Sequence, residues 1–422
     1  MASLGASPQS HSVDHLDLRR SNLGLVLRSL RDHGPRSRAT LSSELGMTRS
    51  TVSTLVSELA ERGLVREGKV QRSSVGRPGT AVELDGSRVY GLGAEVNVNH
   101  VSVLALDFAG RTVGERRLAL DARAMGPEVV IDHLMRLVCE VVDELALGGR
   151  HAAGLTVGVA GLVDRRRDLL THGPNLGWFD VPVGELIRRR LDGSFPVRID
   201  NEGNLAATAE ATPGVPDRQD ILVLFGEIGV GGGIVADGRL LRGRRGYAGE
   251  FGHIIVQPRG RTCGCGRTGC WETVSGLRAL LELVAEPHDT IRNPALGLDE
   301  RLAEINRRAD LGDARTLDAL DQVGTWVGVG AAILANALNP AAIVLSGYYS
   351  AVGHHMRPAV ERALGAGVLA VDSGGTRVEI STMGFAAAVR GGAMAALEPV
   401  FADPSGIPRR PQPAGPAGEV MA

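Results

Sequence analysis

The sequence predicts an α/β chain with a small helical head at its N-terminus, and three observations carry that prediction. Apolar residues recur at helical spacing in three short runs before residue 64. From Val89 the pattern turns to buried strands alternating with helices. Basic charge gathers at the front: residues 1–80 hold 12 Lys+Arg against 7 Asp+Glu, and the remainder 34 against 41. The formal net charge of -2 hides this asymmetry, which points to an anionic partner for the head alone.

The head runs from Ser21 to Leu84. Leu23, Val26, Leu27 and Leu30 mark a first helix that Gly34-Pro35 stops. A second carries Leu41 and Leu45 and ends at Gly46. A third begins near Thr48, buries Val52, Leu55, Val56 and Leu59, and ends at Gly63. Leu64–Arg66 and Thr80–Leu84 flank a polar, glycine-containing loop and read as a β-hairpin. Three helices and a hairpin make a winged helix-turn-helix whose third helix lies in the DNA major groove. Its outer face carries Thr48, Arg49, Ser50, Ser53 and Thr54, donors suited to phosphates and base edges. The wing carries Arg72 and Arg77, the latter in a Gly-Arg-Pro tip that fits a minor groove. The competing reading is a helical bundle with a solvated polar face used for protein contacts.

In the body, Val101–Phe108, Leu155–Val159, Val197–Ile199, Ile221–Phe225 and Ala342–Leu345 read as strands. Val129–Leu147, Leu205–Glu210 and Val323–Leu338 read as helices, and residues 285–320 as charged, peripheral helix. No internal repeat of fixed period is visible. Residues 1–20 and the Pro/Gly/Ala-rich 401–422 are expected to be disordered tails, around a head of 21–84 and a body of 85–400. No signal peptide is recognisable and no apolar run reaches the roughly 20 residues of a membrane helix, so a soluble, cytoplasmic protein is expected.

Three of the four cysteines cluster at Cys263, Cys265 and Cys270, in a loop that follows His253. One imidazole and three thiolates make a closed tetrahedral set for structural zinc, with no open position for catalysis. The alternative is three free thiols beside an unrelated histidine. Cys139, in the apolar run Leu134–Val142, is expected to be a buried filler.

Glu250-Phe251-Gly252-His253 followed by Cys263-Gly264-Cys265-Gly266-Arg267-Thr268-Gly269-Cys270-Trp271-Glu272 resembles the mark of the ROK family of repressors, open reading frames and sugar kinases. The resemblance spans roughly Val89 to Leu397 and implies two actin-like α/β lobes of the sugar kinase (hexokinase) type around a cleft. It implies that Asn201, Glu202, Glu250, His253 and Glu272 contact sugar hydroxyls, with Asn175 near the same cleft. It also places Glu202, in Asp200-Asn201-Glu202-Gly203-Asn204, where family kinases carry the aspartate that accepts the sugar hydroxyl proton. Glutamate is one methylene longer, and a displacement of about 1 Å in a reacting group costs on the order of a hundredfold in rate.

The nucleotide motifs depart from the family pattern. Kinases open with Asp-x-Gly-Gly-Thr-Lys; the corresponding stretch here is Gly93-Ala94-Glu95-Val96-Asn97-Val98-Asn99-His100, without the glycine pair, threonine and lysine. A second phosphate loop reads Gly226-Glu227-Ile228-Gly229-Val230-Gly231-Gly232-Gly233, with a carboxylate where phosphates would lie and glycines retained for the turn. The adenosine-side stretch is Ser346-Gly347-Tyr348-Tyr349. Phosphoryl transfer depends on positioning and charge neutralisation, so no ATP and no catalytic residue are expected. The resulting expectation is a sugar-responsive transcriptional regulator, most simply a repressor of carbohydrate-use genes. Its partners are operator DNA, a sugar or sugar phosphate, and further copies of itself as a dimer or tetramer. The alternatives are an active sugar kinase with a DNA-binding head, or a non-catalytic scaffold docking through its N-terminal helices.

Overall fold

The structure is a computed structural model that describes residues 15–71, 79–191, 193–211, 216–292 and 296–410. It divides into two compact units, residues 1–88 with 398–422, and residues 89–397.

The first unit contains helices His15–His33, Arg38–Glu44 and Arg49–Glu61, then strands Val65–Gln71 and Gly79–Leu84. Leu23, Val26, Leu27, Leu30, Leu41, Val52, Leu55, Val56 and Leu59 are buried together, as the helical spacing predicts. Each such side chain contributes about 1.5–3 kcal/mol by leaving water. Ser37 and Thr48 open the second and third helices by accepting hydrogen bonds from the backbone N–H of Thr40 (3.1 Å) and Thr51 (3.2 Å). Arg36–Ser37 adds a third strand beside Gly79–Leu84, too short to read from sequence.

Two expectations for this unit are corrected. The first helix starts at His15, so residues 15–20 are not a tail. Its Leu16 and Leu18 stand two apart, not at helical spacing, and leave no helical periodicity to read. It is tied down instead by Arg19, which reaches the buried Glu58 carboxylate at 2.6 Å. At the other end, residues 402–410 are ordered rather than disordered. Phe401 and Pro404 are buried. Arg410 donates to Asp85 (2.8 Å) and Ser87 (3.1 Å), and Arg62 donates to the Ser405 carbonyl at 2.8 Å. Composition misled here because two arginines, bonded to Asp85, Ser87 and backbone carbonyls, hold the segment together with the buried Pro404. The predicted tails 1–14 and 411–422, and the wing loop with Arg72 and Arg77, lie outside the described residues.

The second unit has two lobes built on five-stranded sheets. In the first, Val89–Val96, His100–Asp107 and Thr112–Ala119 form an antiparallel meander, and His151–Val159 and Val197–Asn201 add in parallel on the other side of Val89–Val96. In the second, Ile221–Gly226, Val230–Ala236 and Arg239–Leu241 form the meander, and Ala342–Gly347 and Arg377–Ile380 add in parallel. The topology is therefore repeated although the sequence shows no periodic repeat. Strand pairing needs only the alternation of buried and turn residues, which many sequences supply. The long helix Pro127–Leu147 covers the first sheet, and in the second lobe Tyr348–Gly367 lies on the sheet with Ala314–Leu338 packed against that helix. In the first of these, Leu134, Val138, Val141 and Leu145 form the buried stripe. Cys139 falls off that stripe and is exposed, correcting the expectation of a buried filler. A small sheet of Leu162–Asp164, Leu169–Gly173 and Trp178–Val181 presents the Pro174-Asn175 loop. Among the described residues no helix is long and apolar enough to cross a membrane.

Candidate ligand cleft, metal-ligating loop and DNA-facing helix

Residues from both lobes line one cavity. The six predicted sugar-facing side chains, Asn175, Asn201, Glu202, Glu250, His253 and Glu272, all belong to it, together with Asn97 and Glu227. Sequence reasoning treated these last two as losses from nucleotide motifs rather than as cavity wall.

Asn201 ends a parallel strand and starts the helix Glu202–Glu210. Its Oδ1 accepts from the Asn204 backbone at 3.1 Å and its Nδ2 donates to the Gly161 carbonyl at 2.9 Å. Asn201 is thus a structural cap as well as a cavity residue. Glu202 follows as the first helical residue, buried at the cavity floor. Asn97 Nδ2 bridges Glu202 (3.3 Å) and Glu95 (3.2 Å). Burial raises the Glu202 carboxyl well above its ordinary range, helped by the Glu95 and Glu250 carboxylates. Asp200, missed by the motif reading, is fully paired beneath the floor by Arg242 (2.6 Å) and Arg165 (3.2 Å).

The retained Gly232 and Gly233 serve close approach rather than the expected turn. A Cβ on Gly203 would lie 2.5 Å from the Gly232 nitrogen, and one on Gly233 would lie 2.5 Å from the Ala207 Cβ. The helix that carries Glu202 can rest on the strand Val230–Ala236 only because both surfaces are bare. Gly229 does the same for the cavity, since its Cβ would reach within 2.3 Å of a Glu272 oxygen.

Glu227 occupies the rim of this turn. Both its carboxylate oxygens are shielded from solvent without a hydrogen-bond partner of normal geometry. Burial pushes its carboxyl well above the usual range, and Glu95 and Glu202 push further, against a weaker opposing pull from Arg117 and Asn97. Nearby, Tyr348 and Tyr349 are fully buried, and both hydroxyls donate to the Ser275 carbonyl, Tyr349 at 2.9 Å. These rings fill the space beside Gly226, whose Cβ would lie 2.7 Å from Tyr349.

On the opposite wall, Glu250 precedes the short turn Phe251–His253. Burial and then the Glu272 carboxylate raise its carboxyl to about 7. His253 turns Nε2 toward Glu250 (3.9 Å) and Nδ1 toward the cysteine loop. The ligand atoms of His253, Cys263, Cys265 and Cys270 all lie within 4.8 Å of one another. Cys263 Sγ is 3.6 Å from His253 Nδ1, and the Cys265 and Cys270 sulfurs are 3.7 Å apart. A tetrahedral zinc with Zn–S of about 2.3 Å needs edges of about 3.8 Å between sulfurs, so the four side chains fit that ion. The loop is held independently of any metal. Cys263 N–H donates to the Arg267 carbonyl at 2.8 Å, and the fully buried Trp271 donates to the Trp326 carbonyl at 2.7 Å. Gly269 is required at φ +80, where a Cβ would collide with the Gln257 carbonyl at 1.7 Å. Cys263 also donates to Glu272 at 2.8 Å, which links the thiol cluster to the cavity.

In the head, Arg49, Ser50, Ser53 and Thr54 are exposed along one face of the third helix. Thr48 is exposed too, but its hydroxyl is engaged as the helix cap and sits 2.9 Å from the Ser50 hydroxyl.

A winged helix-turn-helix unit and a two-lobed sugar-kinase-type unit on one chain define a class of protein by fold. The ROK family model matches residues 92–398, and a MarR family model matches residues 24–73. The chain belongs to the ROK family. It is 28% identical over 334 residues to the xylose repressor of Bacillus subtilis, covering 79% of this chain and 83% of the relative. It is 25% identical over 362 residues to the N-acetylglucosamine repressor of Escherichia coli O157:H7, covering 85% and 88%. It is also 30% identical over 314 residues to a glucokinase of Halalkalibacterium halodurans, covering 71% and 93%. Among solved structures, a ROK family transcriptional regulator, described as a homolog of the E. coli MLC protein, aligns with TM-score 0.72. It has 23% identity and covers 91% of this chain and 97% of that one, which shows the fold. A ROK family glucokinase from Streptomyces griseus, in complex with glucose and AMPPNP, aligns with TM-score 0.62 at 26% identity, covering 73% and 99%.

Proposed function

We propose that this protein is a sugar-responsive transcriptional repressor whose kinase-like unit senses a ligand and no longer phosphorylates it. The observation that carries the reading is the contrast inside one cavity. The polar set suited to a polyol converges there, while Glu227 sets a desolvated carboxylate at the position of a phosphate loop. Hydroxyls both donate and accept, so carboxylates and amides are what a sugar requires. A nucleotide requires the reverse, donors and cations against its phosphates. The similarity to xylose and N-acetylglucosamine repressors supports the same reading.

In this mechanism Asn175, Asn201, Glu202, Glu250, His253 and Glu272 bind the sugar, and they come from both lobes. Binding favours the cleft geometry in which all six reach the ligand, and the ligand shifts the equilibrium by its differential affinity for that geometry. Structural zinc on His253 Nδ1, Cys263, Cys265 and Cys270 would supply a closed crosslink that keeps the thiolates deprotonated. His253 Nε2 and Glu272 are then held toward the sugar. Arg49, Ser50 and Ser53, with Arg72 and Arg77 of the wing, contact operator DNA. Two heads of a symmetric oligomer read paired half-sites. A DNA partner places the protein in the cytoplasm.

The glucokinase relative and the carboxylate at Glu202 favour a second reading, a working sugar kinase with a DNA-binding head. Nucleotide turnover across a sugar panel separates the two. Operator binding titrated against the same panel tests the first directly: a sugar-dependent shift supports the sensor, and no shift with any sugar or sugar phosphate removes it. Sedimentation on and off DNA tests the oligomer, and a monomer in both states would contradict it.

A further inference from the structure

Outside the cleft, a second group of metal-ligating side chains stands on the second lobe. Asp310 ends the helix Leu298–Asp310, and His354 and His355 lie in the helix Tyr348–Gly367. Ile305 and Ala309 on the first helix and Val352 and Met356 on the second are buried in the core of this lobe. Asn306, one turn before Asp310, donates to the Ala351 carbonyl at 2.8 Å, one turn before His355. The register of the two helices is thereby fixed, and side chains on packed helices hold their geometry better than side chains on loops. Both imidazoles turn Nε2 to the same Asp310 oxygen, His355 at 3.1 Å and His354 at 3.9 Å. Neighbouring residues on a helix ordinarily point about 100° apart, yet the centroids of these two rings are 3.9 Å apart. An ordinary ion pair does not account for the arrangement. His355 Nε2 is shielded from solvent, and despite its close approach to Asp310 no hydrogen bond of normal geometry satisfies it among the described residues. Two protonated rings in contact would repel, whereas two neutral rings each offer a lone pair. Arg307 and Arg308 pair with Glu304, and Arg357 with Glu361, so among the described residues the Asp310 carboxylate pairs with the histidines alone.

We propose that Asp310, His354 and His355 bind a divalent transition-metal ion of the zinc class, at a site separate from the cysteine loop. Two imidazoles and one carboxylate suit such an ion better than magnesium or calcium, which take oxygen ligands. The three ligand atoms already lie within 4.8 Å of one another. With bonds of about 2.0–2.1 Å to nitrogen and oxygen, the edges of a tetrahedral site are about 3.3 Å. The His355 pair is at that spacing, and the His354 pair reaches it by a small rotation of an exposed ring. Three protein ligands leave a coordination position to solvent, unlike the closed set of the cysteine loop, so this ion exchanges and is the more weakly held. Its binding ties the end of Leu298–Asp310 to the middle of Tyr348–Gly367. None of the three residues lines the cleft, so the site stands whether or not the cleft senses a sugar.

The test is calorimetric titration of the untagged full chain with Zn²⁺, after dialysis to remove loosely held ions. Wild type is compared with His354→Ala, His355→Ala and Asp310→Asn. The expected result is that wild type takes up one Zn²⁺ per chain that the variants lose or bind at least about tenfold more weakly, since even a group that only orients a metal ligand is worth about 10–100-fold in affinity. An excess of Mg²⁺ leaves the wild-type isotherm unchanged. Each variant keeps the cysteine loop intact, so zinc held there cancels in the comparison. Unfolding midpoints that match wild type without added Zn²⁺ establish that the variants are folded, and the exposed His354→Ala keeps the comparison decisive if the more buried His355→Ala fails to fold. A wild-type chain that takes up no further Zn²⁺, or folded variants that titrate like wild type, overturns the site. Displacement of Zn²⁺ by Mg²⁺ overturns ligation by the histidines.

Discussion

The cleft and the helical head use polar side chains in opposite ways. The cleft buries them. Glu95, Glu202 and Glu227 sit out of water, and their carboxyls depend on one another and on whatever fills the cavity. The head exposes them. Arg49, Ser50, Ser53 and Thr54 stand in solvent, and the local bonds there are the Thr48 cap and the Thr54 hydroxyl's donation to the Ser50 carbonyl. Buried polar groups are costly and so respond to a ligand that satisfies them. Exposed ones cost little and simply wait for a surface. Sensing is therefore expected to reside in the cleft and address in the head, with each separable from the other by mutation.

The largest expected effect breaks the cleft at its frame. Cys265→Ser removes one of the four proposed zinc ligands, whose ligand atoms lie within 4.8 Å of one another. Zinc content should fall from about one ion per chain to near zero, because a structural site binds through all its ligands together. Thermal stability and sugar response should fall together, since the same loop carries Glu272. Elemental analysis and a melting curve check this, and native protein purified without zinc would remove the assignment.

Next comes the response alone. Glu250→Ala should abolish a sugar-dependent change in operator affinity that we expect to be about 5–150-fold, the usual size of coupling between sites. Sugar-free DNA binding should stay within about twofold, inside the scatter of ordinary surface substitutions. Glu250 is a better probe than Asn201, whose side chain also caps a helix and bridges to Gly161, so that Asn201→Ala would confound sensing with stability. Gel shifts with and without sugar decide it. A variant that responds like wild type would return the cleft to a structural role.

How much of this could be read from sequence follows the same division. The helices of the head were legible because Leu23, Val26, Leu27 and Leu30 repeat at 3.6-residue spacing, and the cysteine loop because thiol and imidazole ligands are rare and closely spaced. The convergence of Asn175, Asn201, Glu202, Glu250, His253 and Glu272 on one cavity followed from motif resemblance, not from any local pattern. Three things were not legible. The residues 402–410 are ordered by backbone carbonyls and arginines, which composition does not report. Gly232 and Gly233 look like turn residues but serve helix-on-strand contact, which depends on a neighbour far away in sequence. The Tyr348 and Tyr349 rings, noted only as a weak motif, fill the space beside Gly226.

In the head, Arg49→Ala should cost about 1–3 kcal/mol of operator affinity if its guanidinium reads a base, and leave the sugar coupling factor unchanged. Titrations at several salt concentrations sharpen this. A loss that is uniform across sequences, with a shallower salt dependence, would make Arg49 a phosphate contact instead. Unchanged affinity would remove the third helix from the interface.

The smallest effect separates two roles of one hydroxyl. Thr48 was expected to touch DNA, and its Oγ1 accepts the Thr51 N–H that opens the third helix. Thr48→Ala should lower stability by about 1 kcal/mol, the common cost of losing a helix cap. Any accompanying loss of DNA affinity would be ambiguous, because a frayed helix also presents Arg49 poorly. Thr48→Ser and Thr48→Asp resolve it. Both keep an oxygen acceptor at the cap, so both should hold stability near wild type, and the aspartate is further favoured by the helix dipole. They differ toward DNA, where serine is neutral and aspartate repels phosphate. If Thr48 faces the backbone of the operator, the serine variant binds like wild type and the aspartate variant binds weakly despite its intact fold. If both bind like wild type while alanine alone is impaired, Thr48 acts only through the helix it caps, and the DNA contact at this position belongs to Arg49 and Ser50 alone.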